Sequence, residues 1–245
     1  MKILLAPSET KKEGGVEPFS LDSLIFKELK ETRAEVLKEY INILQNADFK
    51  MLSKLLGVKK ESEIKKYIKD ISKEPTLKAI IRYTGVAFDF LDYNSLDSSA
   101  KEYIDKNVLI FSNLFGILRA EDKIPLYKLK QGESLGELKI DKLYNKALKE
   151  PMDSLLEDED IIDLRAKYYE KFYKPSKKYT TLKFLKGGKV VSHWAKAYRG
   201  TVLRELALNS VQTIDEFVKL DFKNLEIAEI LEKKAYNEIV YNILE

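Results

Sequence analysis

Met1-Lys2-Ile3-Leu4-Leu5-Ala6-Pro7-Ser8-Glu9-Thr10-Lys11 is the stretch from which the fold is read. Lys2–Ala6 is a short apolar run of the kind that forms a buried strand. Directly beyond it stand a hydroxyl, a carboxylate, a second hydroxyl and an ammonium, which a packed strand does not need at its end. Rigid elements that give way to loops of this composition are how folds build polar clefts for anions. Four further clusters repeat the arrangement beside other apolar runs. They are Arg82-Tyr83-Thr84-Gly85, Gly116-Ile117-Leu118-Arg119 with Asp122 and Pro125, Asp163-Leu164-Arg165, and Ser192-His193-Trp194-Ala195-Lys196 with Arg199-Gly200.

Working outward, the pattern predicts further strands over Val108–Ser112, Ile161–Leu164, Thr180–Leu185 and Lys189–Ser192, with Gly187-Gly188 as a hairpin turn between the last two. It predicts a long amphipathic helix from Leu21 to about Leu44, a shorter one over Phe49–Leu56 ending at Gly57, and another from about Ser62 to Ile71. Ser99-x-x-Glu102 and Thr213-x-x-Glu216 have capping-box spacing and mark two more helix starts. Helices are expected to close the chain after Ala195. No linker or internal repeat interrupts the sequence. The expectation is an α+β fold: one compact mixed domain over residues 1–245, a few central strands surrounded by helices.

Composition excludes several chemistries. Of the 245 residues, 44% are hydrophobic and 34% charged, an ordinary globular balance. There is no cysteine, which rules out a thiol nucleophile, a disulfide framework and thiolate metal sites. His193 is the only histidine, so a histidine-rich metal site is excluded too, and no metal or cofactor is expected. No nucleophile elbow accompanies Ser8 or Ser192. No apolar stretch approaches the roughly 18 to 20 residues that span a bilayer. The apolar run at the N-terminus is too short for a signal peptide, and a cytoplasmic location is expected.

The net charge of +3 hides strong segregation. Between Arg165 and Arg204 there are twelve Lys or Arg and the single acid Glu170. Lys50 to Lys73 carries eight Lys against three acids, while Met152–Leu164 carries six acids and no base. Lysine runs are ordinary solvated surface, but clustering on this scale also suits a polyanion, whose counterions it would release.

Each cluster has a plain reading and a functional one. Ser8 and Thr10 suit a turn or cap, and Lys11 suits an anion at a strand's carboxyl end. Leu52-x-x-Leu55-Leu56-Gly57-Val58-Lys59-Lys60 reads as a helix pair capped by Gly57, or as a helix-hairpin-helix element over about 49–72 offered to a phosphate, with Lys54, Lys59 and Lys60 beside it. Arg119 with Asp122 is a surface ion pair or, shared with Tyr83, one wall of a pocket. Asp163 and Arg165 form an internal salt bridge in the plain reading. Ser192 can cap the helix that follows, and Lys196 and Arg199 share its first turns, where cations oppose the helix dipole unless an anion is bound. Trp194 reads as core and His193 as structural.

The order and wording of these clusters resemble the YaaA family, DNA-binding proteins linked to peroxide stress. The resemblance rests on Ile3–Lys11, Tyr83-Thr84-Gly85, Phe111-Ser112-Asn113-Leu114-Phe115-Gly116-Ile117-Leu118-Arg119 with Asp122, Pro125 and Tyr127, Asp163-Leu164-Arg165, and Ser192 to Gly200. It implies a single mixed domain, a positively charged cleft, a helix-hairpin-helix element, double-stranded DNA binding and a part in limiting oxidative damage. Two departures are visible: Lys59 stands where the usual hairpin has a second glycine, and Ser8-Glu9 stands where many members read Ala-Lys.

The leading expectation is therefore a non-enzymatic protein that holds double-stranded DNA by its phosphates, without sequence preference. Its contacts would be Ser8, Lys11, Lys54, Gly57, Lys59, Lys60, Tyr83, Arg119, Arg165, Lys196 and Arg199. An alternative is an enzyme acting on a nucleotide or other small anion, with Glu9 or Asp122 as acid/base. In either case Ser8, Lys11, Tyr83, Arg119, Lys196 and Arg199 are expected to line one concave, positive surface.

Overall fold

The computed structural model describes residues 1–244, apart from the side chains of Ser192 and His193. Three neighbouring strands form its centre: β1 (Lys2–Leu5), β4 (Val108–Ser112) and β7 (Ile161–Leu164). β1 lies between the other two and runs parallel to both, with Leu4 facing Leu109 on one side and Asp163 on the other. Every residue of β4 and β7 is buried. Strands covered on both faces need continuous rather than alternating apolar runs, which is why these segments are legible in the sequence.

The other elements, in chain order, are β2 (Glu17–Pro18), α1 (Lys30–Asn46), α2 (Phe49–Leu56), α3 (Glu61–Ile64), β3 (Pro75–Lys78), α4 (Ala79–Arg82), α5 (Val86–Leu91) and α6 (Ser98–Asn107) ahead of β4. Between β4 and β7 come β5 (Gly116–Arg119), β6 (Lys123–Pro125) and α7 (Ile140–Leu156). After β7 come β8 (Tyr179–Lys186), β9 (Lys189–Val190), α8 (Ser192–Leu208), α9 (Ile214–Phe217), β10 (Leu225–Glu232) and β11 (Tyr236–Ile243). The main sheet runs β10-β11-β8-β7-β1-β4-β5, with β9 pairing β8; β2, β3 and β6 form a small second sheet. The whole is one α+β domain with a mixed central sheet.

Several elements differ from the sequence reading, each for a physical reason. The helix expected from Leu21 begins at Lys30, because the backbone ahead of it is captured by buried charges. Asp122 accepts the Ile25 N–H, and Arg33 donates to the Ile25 and Phe26 carbonyls. The helix expected over about Ser62–Ile71 is a single turn, Glu61–Ile64, so α2 and α3 make a helix, a left-handed Gly57 cap (φ 65°) and a stub rather than two full helices. Asp97, not Ser99, caps α6 by accepting from Ala100 N, whereas Thr213 caps α9 as its spacing predicts. β9 stops at Val190, and the Gly187-Gly188 turn before it has positive φ at both residues, as a two-residue hairpin demands. The chain closes on strands, not helices: β11 adds to the sheet parallel to β8, and β10 forms its edge. The cap expected from Ser192 and the reading of His193 fall outside the described side chains. Trp194 is not core; it is 45% exposed.

Candidate functional site

The chain leaves β1 towards β4 on one side and leaves β7 towards β8 on the other, so the connections diverge between β1 and β7. In open sheets such a divergence opens a crevice beyond the strands' carboxyl ends. The segment Ala6–Lys11, the turn after Ser112 and the segment starting at Arg165 all begin there.

The loop after β1 is sewn to the Arg82–Thr84 segment. Lys11 and Tyr83 form a β-bridge, Lys12 N donates to the Arg82 carbonyl, and Thr10 Oγ1 donates to the Thr84 carbonyl. Arg82 itself is buried and donates to the carbonyls of Pro75 and Ile124, which makes it a strut. The Lys11 side chain therefore turns inward. Its Nζ donates to the Ser8 carbonyl at 3.0 Å and lies 4.2 Å from the ring centre of Tyr127 and 5.1 Å from that of Tyr83.

Those two rings carry a chain of hydroxyls. Tyr83 and Tyr127 are joined at 2.7 Å, and Tyr127 reaches Ser112 Oγ at 2.9 Å. Ser112 Oγ already accepts the N–H groups of Leu114 and Phe115, so its own proton points to Tyr127, whose proton in turn points to Tyr83. This leaves the Tyr83 O–H as the open donor at the end of the chain. Burial holds Tyr83 up at about 12 and Tyr127 well above its ordinary value, so both remain neutral hydroxyls.

Burial acts on Lys11 in the opposite sense. Desolvation, with the charges of Lys128 and then Arg82, lowers it to about 7, against a smaller upward pull from Glu9. The Glu9 carboxylate is engaged elsewhere: Oε1 accepts from Gln131 N at 3.0 Å, and Oε2 lies 4.0 Å from Lys128. Near neutral pH a large fraction of Lys11 is an uncharged amine. That weakens it as an electrostatic phosphate contact and makes it a better nucleophile.

At the end of β7, Arg165 donates from Nε and Nη2 to the two oxygens of Asp163, at 2.9 and 2.6 Å, and from Nη1 to the carbonyls of Tyr169 and Tyr173. Both partners are buried, and the guanidinium lies over the Phe111 ring at 4.3 Å. The geometry is that of the plain reading: this pair fixes the β7 exit, with four of the five guanidinium N–H groups given to protein oxygens. Arg199, half-buried, is lowered by desolvation and supported by the charge of Asp163, which puts it within electrostatic reach of the same strand end.

The structure thus brings together Ser8, Lys11, Tyr83, Arg165 and Arg199 near the β1 and β7 exits, and leaves out others. Arg119 pairs in register with Leu109, whereas Ser112 pairs with Gly116, so Arg119 sits at the opposite end of β4. There Asp122 accepts its N–H at 2.9 Å and its Nε at 3.3 Å. Burial raises Asp122, and it serves to pin the loop before α1 rather than to face a ligand. The expected shared pocket of Arg119 with Tyr83 is not formed. Lys196 is exposed.

The α2–α3 hairpin borders the same region through the segment 128–133. Lys130 N donates to the Leu55 carbonyl, and the Lys130 side chain covers Gly57. Lys54 faces Glu133 at 3.6 Å, while Lys59 and Lys60 are exposed. Tyr127, Ser112 and Lys128 belong to the site, yet nothing in their local sequence marks them. Ser112 and Tyr127 enter only through the family resemblance.

The architecture is a mixed sheet whose parallel strand exits carry the buried polar residues Ser112, Asp163 and Arg165. Comparison with known proteins gives the family: residues 1–231 match the family model described as Peroxide stress protein YaaA. An uncharacterized protein of Campylobacter jejuni is 47% identical over 246 residues, covering all of both chains. A UPF0246 protein of Corynebacterium glutamicum is 33% identical over 85% of this chain and 86% of its own. Another, from Streptomyces coelicolor, is 31% identical over 84% and 82%. The chain belongs to the YaaA peroxide stress family.

Proposed function

We propose that the protein binds double-stranded DNA through its phosphates, without sequence preference, and by doing so limits oxidative damage under peroxide stress. The observation that carries this reading is the exposed pair Lys59 and Lys60, which among the described residues faces no carboxylate within ion-pair distance. Lys50 is exposed in the same way on α2. Most other lysines near this hairpin are already paired, as Lys65 is with Glu61 and Lys66 with Glu13. Unpaired exposed cations gain most from counterion release on meeting a phosphate backbone.

Membership of a peroxide stress family supports the physiological half of the proposal. Of the expected contacts, Lys54, Gly57, Lys59, Lys60 and Lys196 are exposed, while Arg165 is bound to Asp163. A salt titration of duplex binding tests the reading. Lys59→Ala with Lys60→Ala should weaken unrelated sequences alike and flatten the salt slope by about one unit for each phosphate no longer neutralised. An unchanged slope and affinity would remove the hairpin from the binding surface.

A further inference from the structure

The enclosure around Lys11 does something that phosphate binding does not require. We propose that Lys11 is a nucleophilic amine that condenses with an aldehyde to form a Schiff base. Four observations converge on it. First, the amine is enclosed by the faces of Tyr83 and Tyr127, yet it has one hydrogen-bond acceptor, the Ser8 carbonyl at 3.0 Å. An ammonium carries three donors, and here only one of them meets an oxygen while the ring faces of Tyr83 and Tyr127 stand around the rest. Second, Glu9, the carboxylate whose charge acts on it, is engaged by Gln131 N and Lys128.

Third, Tyr83, whose ring centre lies 5.1 Å from the amine, ends the Ser112–Tyr127–Tyr83 chain with an O–H that can donate to a carbonyl oxygen. Fourth, Asn113, one residue past Ser112 and 7% exposed, keeps an Oδ1 with no partner among the described residues while its Nδ2 donates to the Leu129 carbonyl. A buried, unused acceptor at the same strand exit is open to a partner from outside the protein, a water or a polar ligand. Lys11 as a residue keeps part of its surface open, in the loop that leaves β1 beside β7.

The chemistry balances without a further reactant. The amine lone pair attacks the carbonyl carbon, and a proton moves from nitrogen to the former carbonyl oxygen. Water then leaves as the C=N bond forms, so amine plus aldehyde gives imine plus one water, with no redox change. Desolvation by burial and the charges of Lys128 and Arg82, opposed by Glu9, lower the amine to about 7, so part of it is unprotonated near neutral pH. A lysine desolvated in this way is the usual activated amine of Schiff-base chemistry.

Two sources can supply the aldehyde: the ring-opened sugar of an abasic site in DNA, or a free small aldehyde. The first rests on the DNA-binding reading; the second does not. The test incubates the full chain separately with a duplex carrying one abasic site and with glyceraldehyde 3-phosphate. Borohydride then reduces any imine, and every lysine is mapped by mass spectrometry. The expected result is an adduct on Lys11 at least about tenfold above Lys59 or Lys60 near neutral pH, in one arm or both, because burial lowers Lys11 to about 7. An adduct in the duplex arm assigns a DNA-borne aldehyde; one in the small-aldehyde arm alone assigns a free metabolite. Lys11 labelled no more than Lys59 and Lys60 in both arms would overturn the proposal. The comparison is made within the unmodified chain, so it does not depend on the folding of a variant. Intact-duplex affinity, measured beside it, reports separately on DNA binding. Lys11→Met should abolish the adduct.

Discussion

The Lys11 amine lies 4.2 Å from the ring centre of Tyr127, while Tyr127 bonds both Tyr83 and Ser112 through its hydroxyl. One tyrosine therefore joins the loop after β1 to the end of β4, and the amine it faces has no carboxylate within ion-pair distance among the described residues. A buried lysine of this kind leaves a signature in stability.

Lys11 is lowered from 10.5 to about 7 on folding. Between those values the unfolded chain binds the proton and the folded chain does not, so this residue makes stability rise with pH from about 7 towards 10.5. The slope is at most about 1.4 kcal/mol per pH unit. Below pH 7 both states are protonated, and the folded state bears the full cost of the buried charge. Lys11→Met should remove this component. Urea midpoints of both chains at pH 6, 7.5 and 9 check it: the variant should gain on wild type most at pH 6 and least at pH 9. A difference that does not change with pH would show that Lys11 stays charged.

Asp163 and Arg165 make the second prediction. The guanidinium is buried and takes its two-point partner from Asp163. Asp163→Asn leaves a buried cation without its counter-charge, a change that costs about 3 to 5 kcal/mol in comparable pairs. Arg199 is deprived of the supporting charge as well, so α8 should loosen along with β7. Thermal unfolding with hydrogen exchange on Ser192–Leu208 reads both effects. A destabilisation under about 1 kcal/mol would mean that water enters to solvate the arginine.

What the sequence makes legible divides along physical lines. β4 and β7 can be read with their observed limits because strands buried on both faces must be continuously apolar. β10 and β11 cannot: β10 is an edge strand, largely exposed and interrupted by Glu226, Glu229 and Glu232, and such charges protect an edge while erasing its apolar pattern. The helix reading from Leu21 fails because periodicity sees which side chains are apolar and not that Arg33 and Asp122 hold the backbone at Ile25. Of the site, the Pro7–Lys11 loop and the Asp163–Arg165 strand end are visible as polar groups beside strands. Which cations remain free is not, since the pairing of Arg165 and the covering of Lys11 are set by tertiary contacts. Arg119 looks equivalent to them and sits at the other end of β4 because β5 returns antiparallel.

Gly200 supplies a packing prediction. A Cβ there would meet the Ala87 carbonyl oxygen well inside van der Waals contact and would also crowd Phe90. α8 and α5 can lie this close only with glycine at the crossing. Gly200→Ala should therefore destabilise the fold by about 1 to 3 kcal/mol despite alanine's better helix propensity. Calorimetry would show a melting temperature lowered by several degrees, and an unchanged or raised value would mean that α5 shifts without cost.

Glu9→Gln separates the electrostatic role of the cleft from its chemistry. Glu9 Oε1 accepts from Gln131 N at 3.0 Å, and a glutamine amide oxygen can keep that bond, so the link from the β1 loop to the hairpin-bearing segment is preserved. What changes is charge. Removing an anion beside Lys128 should leave duplex affinity equal or higher, because Glu9 repels a phosphate backbone. The same substitution removes the one influence from Glu9 that keeps a proton on Lys11, so the pH profile of aldehyde trapping at Lys11 should move to lower pH. Duplex affinity and the trapping midpoint are measured on the same purified variant. Equal or tighter DNA binding with an acid-shifted midpoint fits both a phosphate-binding rim and an enclosed amine. Weaker DNA binding would instead assign Glu9 to holding the hairpin in place, and an alkaline shift would mean that the Lys128 charge, relieved of its partner, moves away from Lys11.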